Sequence, residues 1–411
     1  MQKTWRRGTH RALSPADTFA RARAHFAAAG VTRVADVTGL DTLGVPVAMA
    51  YRPNARNLAV SPGKGLDRDA AFASAAMESL ECWHAERPLL PLLRASHREL
   101  AARHRVLDVA RLPRLAARPW SPDRAILWVE ASELLSGGAA WVPFEVVHLD
   151  FTLPLPPSSG ALMPGSNGLA SGNDPAEALT HALCELVERD ASALWHAHDD
   201  AARDRTRLDL ATVDDDACRA LLQRLDEAGV RVAAWDTTSD VAVPAFRCEL
   251  VERAPAPGSD FLPGVGSGCH PSPAVALARA ITEAAQTRLT LVSGARDDLR
   301  RDDYDAARDP AALARMVARM DAPGPLRAFA DVADRAGETL EDDLLTVLAS
   351  LAKAGVREVA VVDLTRPDVG IPVVRAVVPG LEGIHDVPGY VPGARMLRAL
   401  EARGVKLGGA A

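Results

Sequence analysis

The sequence predicts an α+β protein in which antiparallel sheets are layered with helices. A pattern typical of a strand hairpin occurs four times, a long helix follows each of the first three copies, and these helices carry acidic residues at similar places. The chain has 411 residues, of which 48% are hydrophobic and 25% are charged. This composition is typical of a globular protein with a large core and two or more subdomains.

Charge, hydropathy and cysteine usage exclude several classes of protein. The formal net charge of −7 and the dispersed arginines argue against nucleic-acid binding. No apolar run is long enough to span a bilayer, and the stretch "MQKTWRRGTHRALSP" lacks the apolar core of a signal peptide. The five cysteines form no Cys-x-x-Cys pair and are interpreted as free thiols. We therefore expect a cytoplasmic protein with neither nucleic acid nor membrane as a partner.

Each copy of the hairpin pattern has a β-branched run, a short polar turn, and a Val-Pro or Ile-Pro that opens a second apolar run. The copies are "VTRVADVTGLDTLGVPVAMAYRP", "ILWVEASELLSGGAAWVPFEVVHLD", "VRVAAWDTTSDVAVPAFRCELVE" and "VREVAVVDLTRPDVGIPVVRAVVPG". We expect the four prolines to sit at strand starts, where a missing ladder donor is tolerated. These prolines are Pro46, Pro143, Pro244 and Pro372.

A glycine-rich stretch follows each of the first three hairpins and is interpreted as a loop that leads into a long helix. The stretches are "SPGKGLDRD", "SNGLASGNDP" and "GVGSGCHPSP". At nearly the same distance beyond each stretch, two polar residues are spaced i and i+3, so they share one helix face. The fourth hairpin precedes a shorter helix in "GYVPGARMLRALEARG", which lacks such a pair. The three pairs are Glu78 and Glu81, Glu185 and Glu188, and Glu283 and Gln286.

Other segments are predicted to be helical. Residues 14–30 have the pattern of an amphipathic helix that starts at Ser14, and residues 88–122 look helical and rich in arginine. The stretches "DDDACRALLQRLDEAG" and "LEDDLLTVLASLAKAG" each resemble a helix closed by a glycine, and each leads into a strand.

The acid pairs indicate a metal–nucleotide site built from several helices. Carboxylates on neighbouring helices repel one another unless a cation lies between them, and magnesium takes carboxylate oxygens together with nucleotide phosphate oxygens. Glycine-rich segments at helix N-termini supply backbone N–H donors that suit phosphate. The alternative is that the glutamates form salt bridges with arginines such as Arg189 and Arg288, and the spacing leaves both interpretations open.

Common motifs do not account for the pattern. A P-loop requires a glycine, four further residues, then Gly-Lys and a Ser or Thr. The stretch "SPGKGLD" does not fit, because Leu66 follows its Gly-Lys-Gly. The stretch "GVGSG" is too short for a dinucleotide fingerprint. His181 and Glu185 lack the His-Glu-x-x-His order of a metalloprotease.

The motifs together resemble those of the YcaO family. The stretch "SNGLASGNDPAEALTHALCELVERDA" resembles the family's Ser-Asn-Gly loop with a Glu-x-x-Glu-Arg helix. The stretches "SPGKGLDRDAAFASAAMESLE" and "GSGCHPSPAVALARAITEAAQTRL" look like its first and third nucleotide motifs, and "DVGIPVVRAVVPGLEG" and "YVPGAR" like its C-terminal segments. The resemblance extends from about Val31 to Arg395.

The resemblance implies a YcaO-like fold of repeated hairpin and helix units, with ATP and Mg²⁺ as cofactors in a site that is not a P-loop. It implies an N-terminal helix and hairpin in residues 1–58 and an ATP-binding catalytic domain in residues 59–411, packed as one unit. Some members have a serine near the position of Ala170, where this chain has Ser171 beside the alanine. The residues placed at the nucleotide are Ser61, Lys64, Asn173, Glu177, Arg189, Gln286 and Arg288. The residues that would bind Mg²⁺ are Glu78, Glu81, Glu185 and Glu188.

The implied reaction activates a peptide backbone amide. A nucleophile adds to the amide carbon, and the oxyanion then attacks the γ-phosphate of ATP, so positioning and charge neutralisation would supply most of the catalysis. A neighbouring Cys, Ser or Thr side chain as nucleophile gives an azoline, external sulfide gives a thioamide, and an amine gives an amidine.

Two departures from azoline-forming members favour thioamide formation. The chain ends in "EARGVKLGGAA" instead of a proline-rich tail, and only a short region precedes the first motif. The stretches "RRGTHRALSPADT" and "VTRVADVTGLDTLGVPV" resemble stand-alone members that act with a TfuA partner. We therefore expect a precursor peptide or protein as substrate, a sulfide donor, a TfuA-type partner and a homodimer.

An azoline-forming cyclodehydratase is the first alternative. A non-catalytic nucleotide-binding scaffold is the second, and the intact acid set argues against it.

Overall fold

The computed structural model describes residues 1–156, 159–253 and 262–405. Its helices are α1 (Pro15–Arg23), α2 (Phe26–Ala29), α3 (Arg68–Glu86), α4 (His97–Ala101), α5 (Pro175–Ala197), α6 (Asp200–Asp204), α7 (Asp216–Glu227), α8 (Pro273–Ser293), α9 (Arg301–Ala307), α10 (Pro310–Met320), α11 (Leu340–Lys353) and α12 (Ala394–Ala402). Its strands are β1 (Arg33–Asp36), β2 (Val47–Tyr51), β3 (Val60–Lys64), β4 (Leu93–Ala95), β5 (Arg114–Leu115), β6 (Ile126–Glu133), β7 (Ala139–Pro143), β8 (Leu169–Ser171), β9 (Leu208–Asp209), β10 (Val230–Asp236), β11 (Ala245–Glu252), β12 (Gly264–Cys269), β13 (Arg327–Ala328), β14 (Ala360–Asp363), β15 (Val373–Val377) and β16 (Tyr390–Val391).

The contacts divide the chain into two compact units, and the boundary falls inside α3. The predicted division at residues 58 and 59 stays a prediction. The first unit consists of Met1–Leu80, Asp200–Thr238 and Val243–Asp343, and the second of Glu81–Asp199, Ser239–Ala242 and Leu344–Ala411.

The first unit contains two antiparallel three-stranded sheets, in the orders β1-β2-β3 and β10-β11-β12, and a short parallel pair of β9 with β13. Helix α8 packs against β11 and β12, and α7 packs against β10 and α8. The core of this unit includes the buried side chains of Leu43, Leu225, Phe246, Leu250 and Ile281. Burial of this apolar surface holds α7 and α8 on the second sheet.

The second unit is built on a six-stranded sheet in the order β4-β6-β14-β15-β8, with β7 also paired to β6. Helix α5 packs against β15 and β8, and α12 packs against α5. The core of this unit includes Leu107, Trp128, Leu149, Leu162 and Val373. The helix that carries the predicted acids therefore lies on the sheet strands β8 and β15.

The predicted α+β fold class and the four hairpins are confirmed. The antiparallel pairs are β1 with β2, β6 with β7, β10 with β11, and β14 with β15. Pro46, Pro244 and Pro372 directly precede the second strand of their hairpins, as predicted. The prediction was wrong for Pro143, which ends β7 and starts a 3₁₀ turn over Phe144–Val146. A proline lacks the N–H that a further ladder bond needs, so it suits a strand end as well as a start.

Each glycine-rich stretch contains a strand, so the interpretation of the whole stretch as a loop was wrong. Part of each stretch forms β3, β8 or β12, which pairs with a hairpin strand. In β12 the glycines alternate, and a Cβ atom on Gly264, Gly266 or Gly268 would collide with backbone atoms of α8. The glycines thus let the strand and helix backbones touch.

The remaining helix predictions have mixed outcomes. The helix predicted over residues 14–30 is divided into α1, whose first turn is capped by the Ser14 side chain, and α2, which ends at Gly30 in a left-handed conformation. The long helix predicted over residues 88–122 was wrong, because the segment contains only the short α4 and a 3₁₀ turn over Val109–Arg111. Five prolines in that segment each remove a helix donor and restrict the preceding residue. Among the helices of the described residues, none has the length and hydropathy needed to cross a bilayer.

Candidate functional site

Helix α5 carries the predicted acids of the second unit on its packed side. It begins at Pro175, and the side chain of the N-cap Asp174 accepts the N–H of Ala176. The side chains of Glu177 and Glu188 are buried, and that of Glu185 is half-buried. These acids are therefore not on a solvated helix face.

Two of the predicted metal ligands hold the ends of strand β8. Glu81 Oε1 accepts hydrogen bonds from the backbone N (2.9 Å) and the hydroxyl Oγ (2.7 Å) of Ser171. Glu185 Oε2 accepts the N–H of Gly168 at 3.2 Å. Ser171, next to the fully buried Ala170, is therefore the residue that presents a hydroxyl to a predicted site glutamate.

The other predicted residues of the second unit lie on or beside α5. Glu177 Oε1 accepts the backbone N–H of Asn173 at 3.2 Å. Glu188 forms an ion pair with the adjacent Arg189 at 3.4 Å. The alternative of acid–arginine salt bridges is therefore partly realised within α5.

Asp190 follows these residues directly but has a separate role. Its carboxylate is fully buried and accepts two hydrogen bonds from Arg395, from Nε at 2.7 Å and from Nη2 at 2.8 Å. It also accepts the N–H of Glu382 at 3.0 Å. The Glu382 carboxylate in turn accepts the backbone N–H groups of Gly393 and Met396 at the start of α12. This network holds α12 on α5, and sequence reasoning missed it because its members are far apart in the chain.

In the first unit, the predicted phosphate contact Lys64 is paired with Glu283. The Lys64 ammonium lies 2.7 Å from Glu283 Oε2, and Glu283 Oε1 accepts the N–H of Ser267 at 3.3 Å. Glu283 is the first acid of the third helix pair but was absent from the predicted site. Glu283 begins an i, i+3 pair as Glu78 and Glu185 do, so the signal was present in the sequence.

Arg288 and Gln286 are both buried on α8. Arg288 Nε lies 3.2 Å from Asp41 Oδ2, and Arg288 Nη1 donates to the carbonyl of Leu262 at 2.6 Å. Burial lowers the pKa of Arg288, although the Asp41 charge opposes the shift. The structure therefore places a protein carboxylate beside the guanidinium that was predicted to meet phosphate.

Ser61 and Glu78 complete the predicted set. Ser61 is buried in β3 opposite Ala50 of β2. Glu78 is half-buried on α3. Hydrogen bonding to Asp298 raises the pKa of Arg296, and the charge of Glu78 contributes to the same shift. A cationic side chain therefore lies in the electrostatic neighbourhood of Glu78.

The donor set fits a magnesium ion. The predicted ligands are carboxylates, which are hard oxygen donors. Glu188 is buried beside Arg189, and Glu81 and Glu185 are half-buried, so bringing several of these carboxylates together is costly unless further positive charge is supplied. A bound divalent cation would supply that charge, so the residues present are compatible with the predicted metal.

One further cluster has metal-ligand residue types but does not fit a metal in its present arrangement. Ligand atoms of His10, His270 and Asp343 lie within 4.8 Å of one another. The ammonium of Lys3 is 2.7 Å from Asp343 Oδ2 and already supplies the positive charge. His270 Nδ1 accepts the N–H of Ser272 at 3.0 Å, so the proton of the neutral ring is on Nε2, which faces Asp343. A protonated nitrogen cannot be a metal ligand.

Residues 62–382 match the family model described as YcaO cyclodehydratase, ATP- and Mg²⁺-binding. The chain belongs to the YcaO family. The predicted recognition is thus confirmed, and so are ATP and Mg²⁺ as the cofactors. As a YcaO protein, it is an ATP-dependent enzyme that modifies peptides.

Known relatives agree with this assignment. An uncharacterised protein in the tfuA 3′ region of Rhizobium leguminosarum bv. trifolii is 38% identical over 382 residues, which cover 90% of this chain and 88% of the relative. YcaO from Methanopyrus kandleri, solved with AMPPCP and Mg²⁺, has a TM-score of 0.73 at 23% identity and covers 95% of this chain and 98% of its own.

A heterocyclase solved with substrate and cofactor has a TM-score of 0.76 at 24% identity and covers 90% of this chain. This chain spans 53% of the length of that heterocyclase. At these identities the two solved structures confirm the YcaO-like fold.

Proposed function

We propose that this YcaO protein converts a peptide backbone amide into a thioamide, using ATP, Mg²⁺ and an external sulfide donor. The observation that carries the proposal is the relative named for its position in the tfuA 3′ region, which matches 90% of the chain at 38% identity. That context supports a TfuA-type partner, and with it a reaction in which sulfur comes from outside the peptide. The substrate would be a precursor peptide or a protein, and the enzyme would act as a homodimer.

In the proposed site, Glu78, Glu81, Glu185 and Glu188 bind magnesium. After sulfide adds to the amide carbon, the resulting oxyanion would attack the γ-phosphate of ATP and release ADP, and loss of phosphate from the adduct would leave the thioamide. Glu81 and Glu185 are already oriented by Ser171 and the Gly168 N–H, so their carboxylates need little reorganisation before they bind a cation.

The nucleotide itself would be held by the remaining predicted residues. Arg189 and Arg288 have the fork geometry that suits phosphate oxygens, and Lys64 supplies a point charge. Lys64 and Arg288 are held in place by Glu283 and Asp41. The other members of this set are Ser61, Asn173, Glu177 and Gln286.

Calorimetry with Mg·ATP tests the metal site separately from turnover. Glu185→Gln or Glu188→Gln removes one charged ligand and is expected to weaken binding by about tenfold. Glu130→Gln is the matched control, because Glu130 is exposed on β6 in the same unit and should bind as the wild type does. Unchanged affinity in both site variants, with the fold intact, would remove these residues from the site.

Replacement of Arg288 tests the phosphate contact. Arg288→Lys keeps the charge but loses the planar fork, so we expect it not to restore nucleotide binding. Wild-type affinity in this variant would show that Arg288 serves only as a charge or only in its pair with Asp41.

Intact mass of the peptide product distinguishes the reactions. Replacing oxygen with sulfur makes the peptide heavier, whereas cyclodehydration removes one water and makes it lighter. The enzyme is incubated with ATP, Mg²⁺, a candidate peptide and a TfuA-type partner, with and without sulfide. We expect a heavier peptide only when ATP and sulfide are both present, with phosphate released in step. A lighter peptide formed without sulfide would overturn the thioamide proposal.

The second candidate function is azoline formation at Cys, Ser or Thr of a precursor peptide. The description of the matching family as a cyclodehydratase favours it, and so does the fold shared with a heterocyclase. Nucleotide binding without any mass change under all of these conditions would instead support a non-catalytic scaffold.

A further inference from the structure

Arg375 places a charged group among apolar side chains in the second unit. It lies in β15, directly opposite Leu169 of β8 and Val362 of β14. Both of these partners belong to the core cluster, and Arg375 is only 3% exposed. Removing a guanidinium from water costs several kcal/mol unless hydrogen bonds and opposite charge compensate. A buried arginine on this face therefore requires an explanation.

The described residues satisfy only part of this guanidinium. Nη2 donates to the carbonyl of Gly165 at 2.6 Å. Within the described part of the chain, Nε and Nη1 are buried without a hydrogen-bond partner. Burial lowers the pKa of Arg375 to about 10, and the charge of Glu185 opposes the shift. The negative charge of Glu185 is therefore within electrostatic range of this guanidinium.

Arg375 and Glu185 also hold the two ends of one loop. Arg375 binds the carbonyl of Gly165, while Glu185 Oε2 accepts the N–H of Gly168. The Gly168 carbonyl accepts the N–H of Ala376 at 2.8 Å. A Cβ on Gly168 would come within 2.6 Å of the Ala376 carbonyl oxygen. The loop therefore lies directly on β15, and its position depends on the same two charged side chains.

We propose that Arg375 is a positioning residue for Glu185: through its hydrogen bond to the Gly165 carbonyl it fixes the 165–168 loop, whose Gly168 N–H this carboxylate accepts. The inference rests on the proposed role of Glu185 as a magnesium ligand. Residues that orient a metal ligand typically change metal affinity by about ten- to a hundredfold when they are replaced. The effect should appear in metal binding before any turnover is measured.

The test is a double-mutant cycle read by calorimetry. Mg²⁺ is titrated into the full chain saturated with a non-hydrolysable ATP analogue, for wild type, Arg375→Met, Glu185→Gln and the double variant. Arg375→Met should weaken Mg²⁺ binding by about tenfold or more in the wild-type background, and by less than about twofold when Glu185 is already replaced. An equal loss in both backgrounds would overturn the inference, because Arg375 would then act independently of Glu185.

Conservative and control variants separate positioning from general stability. Arg375→Lys keeps a positive charge and should recover most of the Mg²⁺ affinity that Arg375→Met loses. If Arg375→Met does not fold, the cycle is run with Arg375→Lys, whose smaller loss should also vanish in the Glu185→Gln background. Arg366→Met is the matched control and should bind Mg²⁺ as the wild type does. Arg366 is half-buried in the same unit and lies over the Trp83 ring. Its buried Nε also has no hydrogen-bond partner among the described residues.

The outcomes also distinguish this inference from the proposed function. If wild type does not bind Mg²⁺ with the nucleotide, or Glu185→Gln binds it normally, the proposed metal site itself fails. If Glu185→Gln weakens binding but Arg375→Met does not, only the positioning role of Arg375 is refuted. Coupled losses in both variants support both.

Discussion

Replacing Asp190 with alanine is expected to destabilise the second unit by about 3–5 kcal/mol. The carboxylate is fully buried and accepts hydrogen bonds from Arg395 at 2.7 and 2.8 Å and from the Glu382 N–H at 3.0 Å. Asp190→Ala removes all three and leaves a buried guanidinium without this partner. Removing one member of a buried ion pair is costly because the remaining charge stays desolvated.

A second carboxylate on the same arginine provides the matched control. Asp240 also pairs with Arg395, but its side chain is 62% exposed. Solvent screens such a pair, so Asp240→Ala should cost less than about 1 kcal/mol. In the double variant Asp190→Ala with Arg395→Met, the unpaired charge is gone, and part of the stability should return.

Hydrogen exchange followed by mass spectrometry is the suitable assay, because it reports on each unit separately. Peptides covering α5 and α12 should lose protection in Asp190→Ala and retain it in Asp240→Ala. In thermal unfolding, a unit of this size should lose roughly 6–20 °C in Tm. Equal protection and equal Tm in the two single variants would refute the reasoning, since the buried pair would then stabilise no more than the exposed one.

Three further outcomes are expected elsewhere in the molecule. Burial raises the pKa of Glu133, but the hydrogen bonds that its carboxylate accepts outweigh burial and hold the pKa at about 2. Because that pKa lies below the ordinary 4.5, the ionised carboxylate stabilises the fold by roughly 3 kcal/mol above about pH 4.5, and this stabilisation is lost as the pH falls toward 2. Glu133→Gln should remove this pH dependence from acid unfolding. Gly266→Ala should lower the free energy of unfolding of the first unit in urea by about 1–3 kcal/mol or more, because the new Cβ would meet the backbone of α8. Gly39→Ala is the control and should lower it less, because the space around its Cβ is open. Glu283→Gln and Lys64→Met should each weaken Mg·ATP binding measured by calorimetry, and the double variant should lose less than the two effects combined, because the residues form one ion pair.

Local patterns predicted much of the fold and part of the site. The hairpins followed from apolar runs separated by polar turns, and the i, i+3 acid pairs were placed on helices because helix periodicity is visible in one segment. The buried pair of Asp190 with Arg395 was not predictable, because nothing local in the sequence says that α5 and α12 pack together. The same holds for the cluster of His10, His270 and Asp343.

The glycine-rich stretches show why a local interpretation can be wrong. Glycine is common in loops because of its backbone freedom, so these stretches were assigned to loops. In the structure their glycines serve a contact with the helix that follows, and that contact exists only after the helix has folded back. The same error hid a contact of Glu283. Its carboxylate accepts the N–H of Ser267, which lies in β12 and not in a loop.

The contact between the glycines of β12 and the backbone of α8 limits how the first unit can respond to a ligand. Side chains in a packed interface can change rotamer and let a helix slide, but two backbones in contact have no such freedom. Helix α8 must therefore move with its sheet as one rigid element, and Glu283, Gln286 and Arg288 keep their spacing whether or not a nucleotide is present. Any adjustment to a ligand within this unit then falls to side-chain rotation and to the segments that connect the strands, and the amides of β12 and α8 should be among the slowest to exchange.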